Sequence, residues 1–124
     1  MMTMTTDEAK ALVRYHFDQF VNRQNHDVVR QTLAANFVDH DGPNGGPANR
    51  EGDRRMMEEL HTRIPDLQVT IEDIIAEGDK VVCRNVWRGT KADGTPVEFK
   101  GIVIWRIDGS AITERWASVS MPRM

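Results

Sequence analysis

From Asp66 to Thr90 the chain alternates apolar and polar residues on both sides of Glu77-Gly78-Asp79, the pattern of two strands joined by a tight turn. A hairpin this long has an apolar face that must be covered, so the fold is a sheet packed against something else. Pro65 marks the change of hydrophobic period, from the three- and four-residue spacing of helices before it to the two-residue spacing of strands after it.

The spacing of Ala9, Leu12, Val13, Phe17, Phe20 and Val21 predicts a first helix over 6–22, capped by Thr5, Thr6 or Asp7. A shorter helix is expected over 27–35, after which Phe37-Val38-Asp39-His40 reads as extended. Two prolines and three glycines in Gly42-Pro43-Asn44-Gly45-Gly46-Pro47 make a loop, because they cannot hold a regular ladder. The third helix is expected over 49–63, with Met56, Met57, Leu60 and Ile64 on one face. Strands over 67–76, 80–90, 97–107 and 111–120 complete an antiparallel meander, so the fold class is α+β and residues 1–124 form one domain.

A net charge of −3, without any basic stretch, argues against a nucleic-acid partner. No apolar run approaches the roughly 20 residues of a membrane span, and the start of the chain lacks a signal-peptide core. With Cys83 as the lone cysteine, a cytoplasmic protein is the expectation. The strand over 80–90 carries apolar residues on both faces, which a monomer would leave partly wet, so a homodimer through the convex sheet is expected.

Trp87, Trp105 and Trp116 fall one on each of the last three strands, as core residues or as pocket walls. Trp116 suits a pocket, because its two-residue neighbours Glu114, Ser118 and Ser120 are polar. His40, between Asp39 and Asp41, suits proton exchange near neutral pH, or simply caps its loop. His16 lies on the apolar stripe of the first helix and points inward, as a satisfied core histidine or as a pocket group, whereas His26 and His61 read as surface or edge residues. No zinc-type spacing is present, and neither a metal nor a cofactor is expected.

The phrases Phe37-Val38-Asp39-His40, Ile64-Pro65-Asp66-Leu67, Ile71-Glu72-Asp73, Ala76-Glu77-Gly78-Asp79-Lys80-Val81-Val82 and Gly89-Thr90 occur in that order. They are followed by Ile104-Trp105-Arg106-Ile107-Asp108-Gly109 and Ile112-Thr113-Glu114-Arg115-Trp116. Together they make the chain resemble the SnoaL-like polyketide cyclases. The resemblance implies the nuclear-transport-factor-2-like, or cystatin-like, fold: a cone of curved antiparallel sheet closed by three helices, usually dimeric. It also implies cofactor-free acid–base closure of a ring in an apolar pocket. The family's general-base aspartate follows the tryptophan of the Glu-x-Trp phrase by four residues, and Ser120 stands there in this chain. The expectation is therefore a pocket for a small carbonyl or polyketide-like ligand, lined by His16, Phe20, Trp87, Glu114, Trp116 and Ser118. In the catalytic reading, a cyclase, isomerase or lyase, His40 is the base and Ser120 a hydrogen-bond donor. In the alternative the chain is a non-catalytic binding module or a dimeric scaffold, because the cyclase base is missing.

Overall fold

The computed structural model describes residues 4–120, with the side chain of Asn44 left out; the chain start through Thr3 and the segment after Ser120 lie outside them. Helix α1 (Thr6–Phe17) opens with a capping box, in which the Thr5 hydroxyl accepts from the Glu8 N–H at 3.1 Å and the Thr5 N–H donates to Glu8 Oε1 at 2.9 Å. The helix continues as one π turn over Asp18–Asn22, and both Phe20 and Val21 are buried there. The expected helix over 6–22 is thus one continuous element with a widened last turn.

The second helix departs from its expected bounds. A 3-10 turn (His26–Val28) leads into α2 (Val29–Thr32), and strand β1 (Leu33–Asp39) begins where helix was expected to continue through residue 35. The cause is tertiary: β1 lies parallel to β5 (Ala111–Ser120), with Leu33 opposite Ile112 and Asp39 opposite Arg115, and that ladder outweighs the local helix preference of Ala34 and Ala35. The loop then makes a 3-10 turn (Pro43–Gly45), and Asn49 caps α3 (Arg50–Arg63) by accepting from the Gly52 N–H at 2.8 Å.

Strands β2 (Gln68–Glu77), β3 (Lys80–Thr90), β4 (Pro96–Asp108) and β5 pair antiparallel in succession, as the alternation predicts. Gly78 supplies the positive φ of 60° in the first hairpin turn. The sheet order is β1-β5-β4-β3-β2, so the fifth strand, absent from the expected meander, makes the sheet mixed. Register shifts between Ile71 and Asp73 and between Arg106 and Ile107 mark irregularities of the kind that bend strands, and the helices pack on the concave side. Val13 and Phe17 of α1 meet Val81, Val103 and Trp105 there, all of them buried. Among the described residues, no helix is long and apolar enough to cross a membrane.

Candidate functional site

A cleft of about 540 Å³ opens between α3, the loop after β1 and the concave face of the sheet. Met56, Met57 and Leu60 form its helical wall, while Trp87, Phe99, Ala117 and Val119 form its sheet wall. Trp87 and Phe99 stack with ring centroids 5.3 Å apart at 9°. Two other depressions, lined by groups such as His26 and Glu58 or Gln68 and Arg88, are more open to solvent and hold no buried charge pair.

Asp39 and Arg115 bring charge into this largely apolar space. Their strands are parallel neighbours at this register, which places the two side chains side by side. Arg115 Nη1 donates to both carboxylate oxygens of Asp39, at 3.1 and 3.0 Å, and the Asp41 N–H donates to Asp39 Oδ1 at 3.0 Å. The guanidinium also lies over the Trp105 ring, 5.6 Å from its centroid. Only one guanidinium nitrogen is used on Asp39, so the group keeps donors for a ligand.

Asp53 of α3 packs behind this pair. It is buried, its Oδ1 has no hydrogen-bond partner among the described residues, and burial raises its pKa to about 8, helped by the hydrogen bond and the charge of Asp39 and opposed by Arg115. Asp53 therefore holds a proton at neutral pH beside the Asp39 carboxylate. His16 lies in the neighbouring core, stacked on Phe20 at 5.1 Å and edge-on to Trp105 at 5.4 Å. The Thr32 hydroxyl donates to the Val28 carbonyl at 3.0 Å, so it accepts from His16 Nδ1–H at 2.7 Å, which fixes the tautomer. Burial first, and then the charge of Arg115, depress the His16 pKa to about 3, so the ring is neutral.

Of the residues expected to line a pocket, Trp87 borders the cleft, and His16 and Phe20 are core residues, His16 lying edge-on to Trp105 and Phe20 stacked on His16. The remaining expectations are corrected. Arg115, Ala117 and Val119 take the inner face of β5, so Glu114, Trp116, Ser118 and Ser120 take the outer one, because side chains alternate along a strand. His40 follows them outward: its ring stacks on Trp116 at 4.9 Å and 7°, and its Nε2 lies 2.9 Å from Glu114 Oε1. Arg106 also binds Glu114, and these two partners, Arg106 foremost, lower the pKa of that carboxyl. His40 and Ser120 thus do not meet in the cleft. His61, expected at the surface or an edge, is buried, donating from Nε2 to the Val21 carbonyl at 2.9 Å and accepting at Nδ1 from His26 Nε2 at 2.8 Å.

Sequence reasoning missed Asp39, Asp53 and Arg115 as site residues. One signal was available: Asp53 falls three and four residues before Met56 and Met57, on the apolar stripe of its own helix, where an ionised carboxylate is costly.

A family model described as SnoaL-like polyketide cyclase matches residues 11–121. Among solved structures, the chain is similar to IdmH, a proposed polyketide cyclase from Streptomyces antibioticus, with 25% identity, a TM-score of 0.79 and coverage of 89% of this chain and 90% of that one. It is also similar to a proposed polyketide cyclase from Bacillus cereus, with 26% identity, a TM-score of 0.83 and coverage of 91% and 74%. AclR from Streptomyces galilaeus, a proposed hydroxylase, shares the fold at 21% identity and a TM-score of 0.84, with 94% and 81% covered. No curated protein matches the chain.

Proposed function

Because the chain belongs to the SnoaL-like polyketide cyclase family, we propose that it takes a small, polyketide-like carbonyl compound into the α3–sheet cleft and moves a proton on it without a cofactor. The observation that carries this reading is the Asp39–Arg115 pair at the wall of a largely apolar cleft, with protonated Asp53 behind it. A substrate carbonyl oxygen accepts from Arg115, and Asp39 takes the proton from the carbon next to that carbonyl. As negative charge builds on the oxygen, the guanidinium stabilises it. The proton returns from Asp39 to carbon or oxygen, so that the protein ends as it began. Asp53 is a positioning residue, since it acts through Asp39.

Deuterium exchange into the acetyl group of 2-acetonaphthone, followed by NMR in D₂O, tests this. Wild type should exchange the methyl protons well above the buffer rate, and Asp39→Asn should lose about 100-fold or more while binding the ketone within about tenfold. Binding without exchange in the wild type would favour the second reading, a non-catalytic binding module, whose supporting observation is Ser120 at the family's base position.

A further inference from the structure

The best-buried side chain next to the cleft that has nothing to do is Asn85. It has 0% exposure, and neither its Oδ1 nor its Nδ2 has a hydrogen-bond partner among the described residues. A buried amide with both ends unpaired is destabilising, a cost which leucine, of similar size, would not incur. Such a group in a folded chain calls for an explanation.

Its position supplies one. Asn85 shares the concave face of β3 with Cys83 and with Trp87, two residues on, and Trp87 lines the cleft. Across β4 its partner is Gly101, which offers no side chain to bond. A Cβ at Gly101 would come within 2.7 Å of Val119 Cγ2, so that valine leans over the glycine, and Val119 lines the cleft as well. Phe99, the next residue on that face of β4, is stacked on Trp87 and completes the frame. The unpaired amide does not itself line the open cleft but lies beside the aromatic part of its wall on the same sheet face, in one register row with Gly101 and Val119.

We infer that Asn85 is a ligand-contacting residue at the inner end of the cleft, selecting planar carbonyl compounds that carry a phenolic or enolic hydroxyl at the end remote from Arg115. Trp87 and Phe99 receive the flat body of the ligand, turning aside to admit its oxygen. An amide with donor and acceptor both unspent is completed by a group that is itself donor and acceptor, which a hydroxyl is and a methyl is not. This inference rests on the reading of the cleft as the ligand site, but not on any proton transfer there.

The probes are 2-naphthol and 2-methylnaphthalene, equal in shape and differing in the hydroxyl. Their dissociation constants are measured by calorimetry for wild type and Asn85→Leu, together with thermal melting. Asn85→Leu should melt higher, because it relieves the orphaned amide, and should shift the ratio of the two constants at least about tenfold toward the methyl compound. In the wild type the ¹⁵N side-chain amide signal of Asn85 should move with 2-naphthol and stay with 2-methylnaphthalene, a reading that holds even if the leucine variant does not fold. An unchanged ratio, or an amide signal indifferent to 2-naphthol, overturns the inference while leaving the cleft in place. Failure of the wild type to bind either probe overturns both. Proton exchange absent from 2-acetonaphthone, with the naphthol selectivity present, removes the catalytic reading alone.

Discussion

Asp53→Asn gives the most direct test of the charge arrangement in the cleft. Unfolded Asp53 loses its proton near its ordinary value of 3.8, and folded Asp53 near 8. Between these values the folded state holds a proton that the unfolded state has lost, so stability falls as pH rises through the window. Asp53 acting alone sets a slope of about 1.4 kcal/mol per pH unit. Asparagine has the shape of the protonated acid, offers an N–H to Asp39 and cannot ionise, so the variant lacks the slope. From pH 5 to pH 7 the wild type should lose about 3 kcal/mol relative to Asp53→Asn, which at about 4 °C per kcal/mol is a relative shift of about 12 °C in Tm. Thermal melts at half-unit pH steps would read it. Parallel curves for the two proteins would show that Asp53 is not a buried acid, and the proposed arrangement of Asp39, Arg115 and Asp53 would lose its basis.

His16, depressed to about 3, has the opposite sign: its unfolded form takes up a proton near 6.5, so stability is lost as pH falls from 6.5 toward 3, and His16→Gln should flatten that acid limb in the same melts. Asp39→Ala leaves Arg115 without its carboxylate and should cost about 3–5 kcal/mol in urea unfolding, whereas a cost under about 1 kcal/mol would place the pair in solvent. His40→Ala removes the stack on Trp116 and the contact to Glu114, both on the outer face, and calorimetry should find binding of 2-acetonaphthone unchanged within about twofold. Light scattering should give a homodimer that Ile102→Glu converts to monomer, since Ile75 at 64% and Ile102 at 40% exposure are the large apolar side chains left bare on the strands; a wild-type monomer at micromolar concentration would refute it.

The meander and the first and third helices were legible because each repeats one period over ten or more residues, and a strong period leaves little choice of element. Strand β1 was legible only at its end, where Phe37-Val38-Asp39 read as extended, since the residues before them carry no such period and the partner strand lies at the far end of the chain. The site followed the same division. Trp87 was legible as an aromatic on a strand. On β5 the polar residues Glu114, Ser118 and Ser120 drew the pocket to the wrong face, because an arginine is ordinarily read as facing water. Arg115 turns inward only because Asp39, on another strand, meets it there, and no local pattern contains that fact.

The Asp39–Arg115 contact spans 76 residues, and it exists only through the parallel β1–β5 ladder. Hairpin contacts within 68–120 close short loops, whereas β1 must bring the first third of the chain back to the last strand, an entropically slower event. The meander can thus form before the site does, and the site is assembled in the closing step. The same logic runs in reverse: β1 is an edge strand, and its detachment would dismantle the Asp39–Arg115 pair while the meander stays paired. In native-state hydrogen exchange, the amides of β1 should then open at lower free energy than those of β3 and β4, and a bound ligand that bridges the two should raise β1 toward the protection of the rest.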